Sequence, residues 1–236
     1  MKSDEVDVII TLIHLKNLEE MLHIKKYTGL IILSLCLLGV YCINYYTHNY
    51  NLGKEDKYEY EIAQIPSANK LNIAKDGNKN KIVVMGWNVE NLFDTKNDPL
   101  TEDDEYTPGG RKRWTKKRLQ KKIYNITDVI RRVNNNNGPD IIGFCEIENR
   151  WVLKQLALHS NIKNLGYRYC YLRDGDDPRG IDSALLSKYP AKVSWHSPYY
   201  GARHIIQAEF KIHEHKLHVI LNHWRSRLGG KQNTKH

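Results

Sequence analysis

Three short apolar runs constrain this chain most, because each ends in polar side chains suited to the same chemistry. The first, Pro139-Asp140-Ile141-Ile142-Gly143-Phe144-Cys145-Glu146, follows Gly138 and reads as a buried strand closed by a carboxylate. Upstream, Lys81-Ile82-Val83-Val84-Met85-Gly86-Trp87 leads into Asn88 and Glu90. Downstream, Leu217-His218-Val219-Ile220-Leu221 leads into Asn222 and His223. Buried strands that deliver amide, carboxylate and imidazole at one end place a site on the carboxyl rim of a sheet, where α/β folds keep their sites. That combination suits metal-assisted hydrolysis.

Four stretches in order carry a family resemblance: Trp87-Asn88-Val89-Glu90-Asn91, then Pro139 to Glu146, then Arg179-Gly180-Ile181-Asp182-Ser183-Ala184-Leu185-Leu186, then Asn222-His223-Trp224. The sequence resembles the endonuclease/exonuclease/phosphatase superfamily with its deoxyribonuclease-I-like fold. Within it, the chain is similar to exported bacterial members carrying Asn-Val-Glu-Asn-Leu-Phe-Asp and an acidic loop with Thr-Pro-Gly-Gly, here Asn88–Asp94 and Thr107–Gly110. The resemblance covers about residues 81–230. It implies an α+β fold, part of a four-layer sandwich of two mixed β-sheets flanked by helices.

Cleaving a phosphate ester requires a cation to offset phosphate charge, an oriented water and a stabilised leaving oxygen. The resemblance implies Glu146 as a metal ligand, with Glu90 as a second acidic group near the ion. Hard oxygen donors of this kind take Mg²⁺, and Mn²⁺ or Ca²⁺ as alternatives. Asn88 matches the amide that the family keeps beside metal and scissile phosphate. His223 matches its strand-end histidine, which gives a hydrogen bond or a proton to phosphate oxygen, and Asn222 is its neighbour in the motif. Arg179 is a candidate phosphate clamp, and Asp182 a carboxylate orienting Arg179 or His223. One phosphate with its ion is small, so Asn88, Glu146 and His223 are expected within about 10 Å of one another.

The family also uses a D-x-N strand end beyond the Asn-His-Trp stretch and a terminal D-H pair. Neither occurs between Trp224 and His236, which leads to the expectation of a C-terminally truncated domain, its last strands missing and its activity largely lost. The function expected is a metal-dependent phosphoesterase acting on nucleic acid or on a phosphorylated small molecule or lipid. The alternative is a non-catalytic, membrane-tethered module that binds anionic ligands.

The chain carries 36 Lys and Arg against 27 Asp and Glu, a net charge of +9, which favours polyanions or anionic surfaces. Much of it falls between Arg111 and Lys122, beside or on one amphipathic helix expected over 115–134, with Thr115 as N-cap and Leu119, Ile123, Ile126, Ile130 and Val133 as its apolar stripe. A second helix is expected from Asn149, carrying Val152, Leu153, Leu156 and Leu158. Four cysteines without a C-x-x-C spacing indicate neither zinc nor a disulfide framework, and Cys145 and Cys170 read as buried thiols.

The first eighty residues differ from the rest. Residues 1–24 read as an extension with Val6, Ile9, Ile10, Ile13 and Leu18 at helical spacing, or as an over-read before a true start at Met21. Residues 25–45 hold Lys25-Lys26 and then the uncharged stretch Thr28–Ile43, which reads as a signal peptide or membrane anchor. The flanking lysines place the N-terminus in the cytoplasm if uncleaved and the remainder outside, membrane-anchored or periplasmic to extracellular. Residues 46–80 read as a polar linker and 81–236 as the folded domain, a monomer.

Overall fold

The computed structural model describes residues 81–212 and 215–224 in full, and the backbone of four strand segments before them. In chain order the elements are β1 (Asp7–Ile13), β2 (Leu30–Leu35), β3 (Tyr41–Cys42), β4 (Tyr60–Glu61), β5 (Lys81–Leu92), α1 (Lys116–Asn136), β6 (Ile141–Ile147), α2 (Arg150–Ala157), β7 (Tyr169–Leu172), β8 (Asp182–Ser187), β9 (Ala191–His196), β10 (Ile205–Ile212) and β11 (His215–His223). They form two sheets, ordered β1-β5-β6-β8-β7-β4 and β3-β2-β11-β10-β9. Both sheets mix parallel and antiparallel neighbours.

Alternation along the strands explains the layering. Val84, Ile141, Cys145 and Leu185 point to one face of the first sheet and meet Ile206, Ala208, Phe210, Val219 and Leu221 of the second. Met85, Trp87, Ile142, Phe144 and Leu186 point to the other face. There they bury the apolar stripe of α1 (Leu119, Ile123, Ile126, Ile130) and that of α2 (Val152, Leu153, Leu156). Among the described residues the order of layers is therefore helices, sheet, sheet. The architecture is the two-sheet α+β sandwich of the deoxyribonuclease-I-like fold.

Local signals set the helix ends. The Thr115 hydroxyl accepts from the Arg118 amide, and the Asn149 side chain accepts from that of Val152. Asn134 and Asn135 adopt left-handed backbone, which asparagine tolerates, so the regular helix ends before them. Leu158, expected on the α2 stripe, lies at the C-cap and is exposed.

The N-terminal expectations meet the structure only in part. The run Asp7–Ile13, read at helical spacing, is a strand paired in parallel with β5; its β-branched residues fit a pleated ladder better than a helix. Leu30–Leu35, inside the uncharged stretch, is likewise a strand, parallel to β11. No helix among the described residues is long and apolar enough to cross a membrane. Tyr60–Glu61, in the polar segment, pairs with β7. The rest of 1–80 lies outside the described residues.

Candidate active site

The site sits at one end of the seam between the sheets, where β5 and β6 of the first sheet meet β11 of the second. The pairing of β5 with β6 is regular from Val84 to Asn88 and then slips, resuming at Leu92 with Ile147. The pairing of β6 with β8 slips between Cys145 and Ile147 as well. Within these bulges Glu90, Asn91 and Glu146 all have positive φ, at 55°, 61° and 67°. A bulge re-aims side chains that strict alternation would send elsewhere.

The re-aimed groups converge on the Glu146 carboxylate. Asn88 Nδ2 donates to Glu146 Oε1 at 3.0 Å, and the Asn91 amide donates to Oε2 at 2.8 Å. Asn88 is itself fixed, since the Glu90 amide donates to Asn88 Oδ1 at 2.8 Å. From the second sheet, His223 Nε2 lies 3.5 Å from Glu146 Oε1. Asn88, Glu146 and His223 thus meet at one carboxylate oxygen, well inside the expected span.

Glu90 enters differently from expectation. It contributes its backbone, and its side chain is exposed. Lys122 on α1 donates to the carbonyls of Glu90 and Asn91. Burial lowers the pKa of that lysine to about 8, partly opposed by the charges of Glu90 and Glu146.

His223 has a second partner that the sequence did not announce. Arg203 Nη1 lies 2.9 Å from His223 Nδ1 and 3.4 Å from Nε2. The two similar distances place the guanidinium across the imidazole ring rather than in line with one ring nitrogen. Burial, then the Arg203 and Arg179 charges, push the His223 pKa down to about 3. The imidazole is therefore neutral near pH 7, and Glu146 Oε1, 3.5 Å from Nε2, is a close neighbour rather than an ion-pair partner. Arg203 is buried and pairs with buried Asp177, Nε to Oδ2 at 3.5 Å. No motif surrounds Arg203, whose one signal is its place just ahead of an apolar strand; Asp177 stands two residues before Arg179 and its motif.

Arg179 is half-exposed and holds the same carboxylate, with its amide 3.0 Å and its Nε 3.7 Å from Asp177 Oδ1. Its charge reaches His223, consistent with a place at the rim. Asp182, expected to orient Arg179 or His223, does neither through a hydrogen bond. It is buried beneath the loop that carries Asp177 and Arg179, and it accepts from the Gly175 amide at 3.2 Å. A Cβ at Gly175 would lie 2.8 Å from Asp182 Oδ1, so only glycine lets the loop sit this close. Burial raises the Asp182 pKa to about 8, leaving the carboxyl largely neutral at pH 7. Asn222 is buried beside His223, with no hydrogen-bond partner for its Oδ1. With Tyr199, Ala202, Arg203, Ile205 and Trp224 it lines a small cleft next to the imidazole.

Glu146 fits a hard divalent ion. An ionised carboxylate offers about four lone-pair positions, and the Asn88 and Asn91 hydrogen bonds occupy two. Mg²⁺ keeps most of its waters and binds through one or two carboxylates plus substrate phosphate, so one open position suffices. No group of three or more His, Cys, Asp or Glu suited to an ion occurs among the described residues. Glu148, two residues on, instead accepts from the Asp94 amide at 2.5 Å. Burial and the nearby Asp94, Asp103 and Asp98 raise its pKa to about 8.

A two-sheet sandwich with a carboxylate, an amide and a neutral imidazole gathered at its seam defines a hydrolase scaffold of the deoxyribonuclease-I type. Residues 83–236 match the endonuclease/exonuclease/phosphatase family, and the chain belongs to that family. Among solved structures, TDP2 from Caenorhabditis elegans is similar, with 19% identity, a TM-score of 0.37, and coverage of 61% of this chain and 35% of that one. The chain thus spans about a third of that protein's length. No curated protein matches the sequence.

Proposed function

We propose that this chain carries the metal- and phosphate-binding half of a divalent-cation-dependent phosphoesterase, hydrolysing phosphodiester or phosphomonoester bonds. The observation that carries this reading is the Glu146 carboxylate, oriented by Asn88 and the Asn91 amide and faced by His223 across the two sheets. A cation at Glu146, Mg²⁺ or Mn²⁺, supplies charge neutralisation at the phosphate. Asn88 and neutral His223 then offer N–H donors to phosphate oxygens, and Arg179 adds a cation at the rim.

No aspartate follows Asp182 in the sequence, so the D-x-N carboxylate that the resemblance calls for is not among residues 1–236. Removing one member of a cooperating catalytic set costs several orders of magnitude in rate. These residues by themselves are therefore expected to bind the ion and turn over slowly. The test is Mn²⁺ binding by electron paramagnetic resonance on the full chain, alongside hydrolysis of bis(p-nitrophenyl) phosphate. Glu146→Gln should abolish Mn²⁺ binding and any residual hydrolysis. Undiminished Mn²⁺ affinity in that variant would overturn the assignment, and anion binding without any ion binding would favour the non-catalytic alternative.

A further inference from the structure

The positive charge of this chain is concentrated in one place. Between Arg111 and Lys122 stand eight Lys or Arg and no Asp or Glu, against a net +9 for all 236 residues. All but Lys122 are exposed. Lys122 reaches the carbonyls of Glu90 and Asn91, the bulge whose amide holds Glu146. On the helix surface Arg118 is one turn from Lys122, and Lys117 and Lys121 form the adjacent row toward solvent. Rows of cations therefore run from the rim of the site onto the open face of α1.

This arrangement works against the stability of the helix. Lys116, Lys117 and Arg118 occupy its first turn, which holds no acidic residue. Cations there oppose the helix dipole, at about 0.3–1 kcal/mol each, and like charges one turn apart repel. A face needed only for solubility would mix signs or begin with Asp or Glu. Arg118 gains contacts with Trp114 and the Lys112 and Arg113 carbonyls, but at Lys116 and Lys117 the local rule is broken without such a gain among the described residues, which points to function. Arg111 pairs with Glu105, and Lys112 and Arg118 lie over the Tyr106 and Trp114 rings. Arg113, Lys116, Lys117 and Lys121 make no ion pair with a described residue, so their charge is available to a ligand.

We propose that the Arg111–Lys122 face is a track for the phosphate backbone of a nucleic acid strand, leading it to the Glu146 site. The inference rests on the phosphoesterase reading and names its substrate class. A small phosphate ester needs cations only at the reacting phosphate. The rows from Lys117 to Lys122 extend about 8 Å along the helix, enough for two successive phosphates of a strand. An anionic bilayer would attract the same cations. Interfacial helices, however, set their cations beside a broad exposed apolar face, and the apolar face of α1 is buried.

The test is fluorescence anisotropy of a labelled thymidine oligonucleotide with the full chain in nonionic detergent, over a range of salt. Affinity should fall steeply with salt. The variant Lys116→Gln/Lys117→Gln/Lys121→Gln should bind about tenfold or more weakly, with the log–log salt slope reduced by about 2–3. Unchanged affinity in that variant would overturn the proposal. So would wild-type binding to phosphatidylserine vesicles, through these lysines, with none to the oligonucleotide. Mn²⁺ binding at Glu146 decides the phosphoesterase reading separately: if it is absent while salt-dependent strand binding persists, that reading falls and the track stands.

Discussion

His223 lies between two groups of opposite charge, and burial dominates its protonation. Arg203 sits by the ring and Glu146 near Nε2; burial, reinforced by the Arg203 and Arg179 charges, lowers the folded pKa to about 3. The unfolded value is near 6.5. Between those limits the unfolded chain binds the extra proton, so this residue makes the fold less stable as pH drops from about 6.5 toward 3. Arg203→Met removes the cation. Asp177 then loses its buried partner, at a cost on the order of 3 kcal/mol, while the half-exposed Arg179 remains. The His223 pKa should rise toward its ordinary value, read by NMR titration of the His223 Cε1 proton. A His223 that still fails to titrate above pH 5 in that variant would show that burial alone sets its state.

At the scale of elements, the site is made by two strand irregularities. Glu90, Asn91 and Glu146 stand in left-handed backbone, which costs a non-glycine residue roughly 1–2 kcal/mol. Asn91 tolerates it better than most, and its amide is the donor to Glu146 Oε2. A β-branched side chain does not tolerate it. Asn91→Val should therefore destabilise the fold by about 1–2 kcal/mol, whereas Asn91→Gly keeps the amide and should melt close to the parent. Equal melting temperatures for the two variants in calorimetry would refute the strain argument. The strands of the site were legible in the sequence: apolar runs between glycine, proline and asparagine placed β5, β6 and β11. The bulges were not, because alternation patterns carry no mark of an inserted residue. Hence Glu90 was expected to offer its carboxylate when it offers its amide. Asp182 was expected to orient Arg179 or His223, and instead it accepts from the Gly175 amide beneath the loop. Asp7–Ile13 was misread for a related reason, since a short apolar run fits helical and strand spacing alike. Arg203 and Asp177 escaped notice because their partnership exists only once distant segments meet.

Across the whole molecule, the groups of the candidate site are divided between the two sheets. Asn88 and Glu146 belong to the first and His223 to the second, so inter-sheet spacing sets their separation. That spacing is tight near the site. Gly143 on β6 faces Leu221 on β11, and a Cβ at Gly143 would lie 3.2 Å from both Leu221 methyls. Gly143 is three residues from Glu146, and Leu221 two from His223. Gly143→Val should force the sheets apart locally, costing about 1–3 kcal/mol by overpacking, and lengthen the Glu146–His223 approach. The expected result is a lower melting temperature together with weakened metal or phosphate binding. Loss of neither would show that the seam has slack.

Arg203 also governs proton traffic at the imidazole. A guanidinium keeps its protons throughout the physiological range, so the Nδ1 side of His223 faces a group that neither takes a proton nor releases one. Arg203 can therefore hold the imidazole in place but cannot pass a proton to it. Any proton His223 gains or gives must be exchanged with another group, and Glu146, 3.5 Å from Nε2, is such a group.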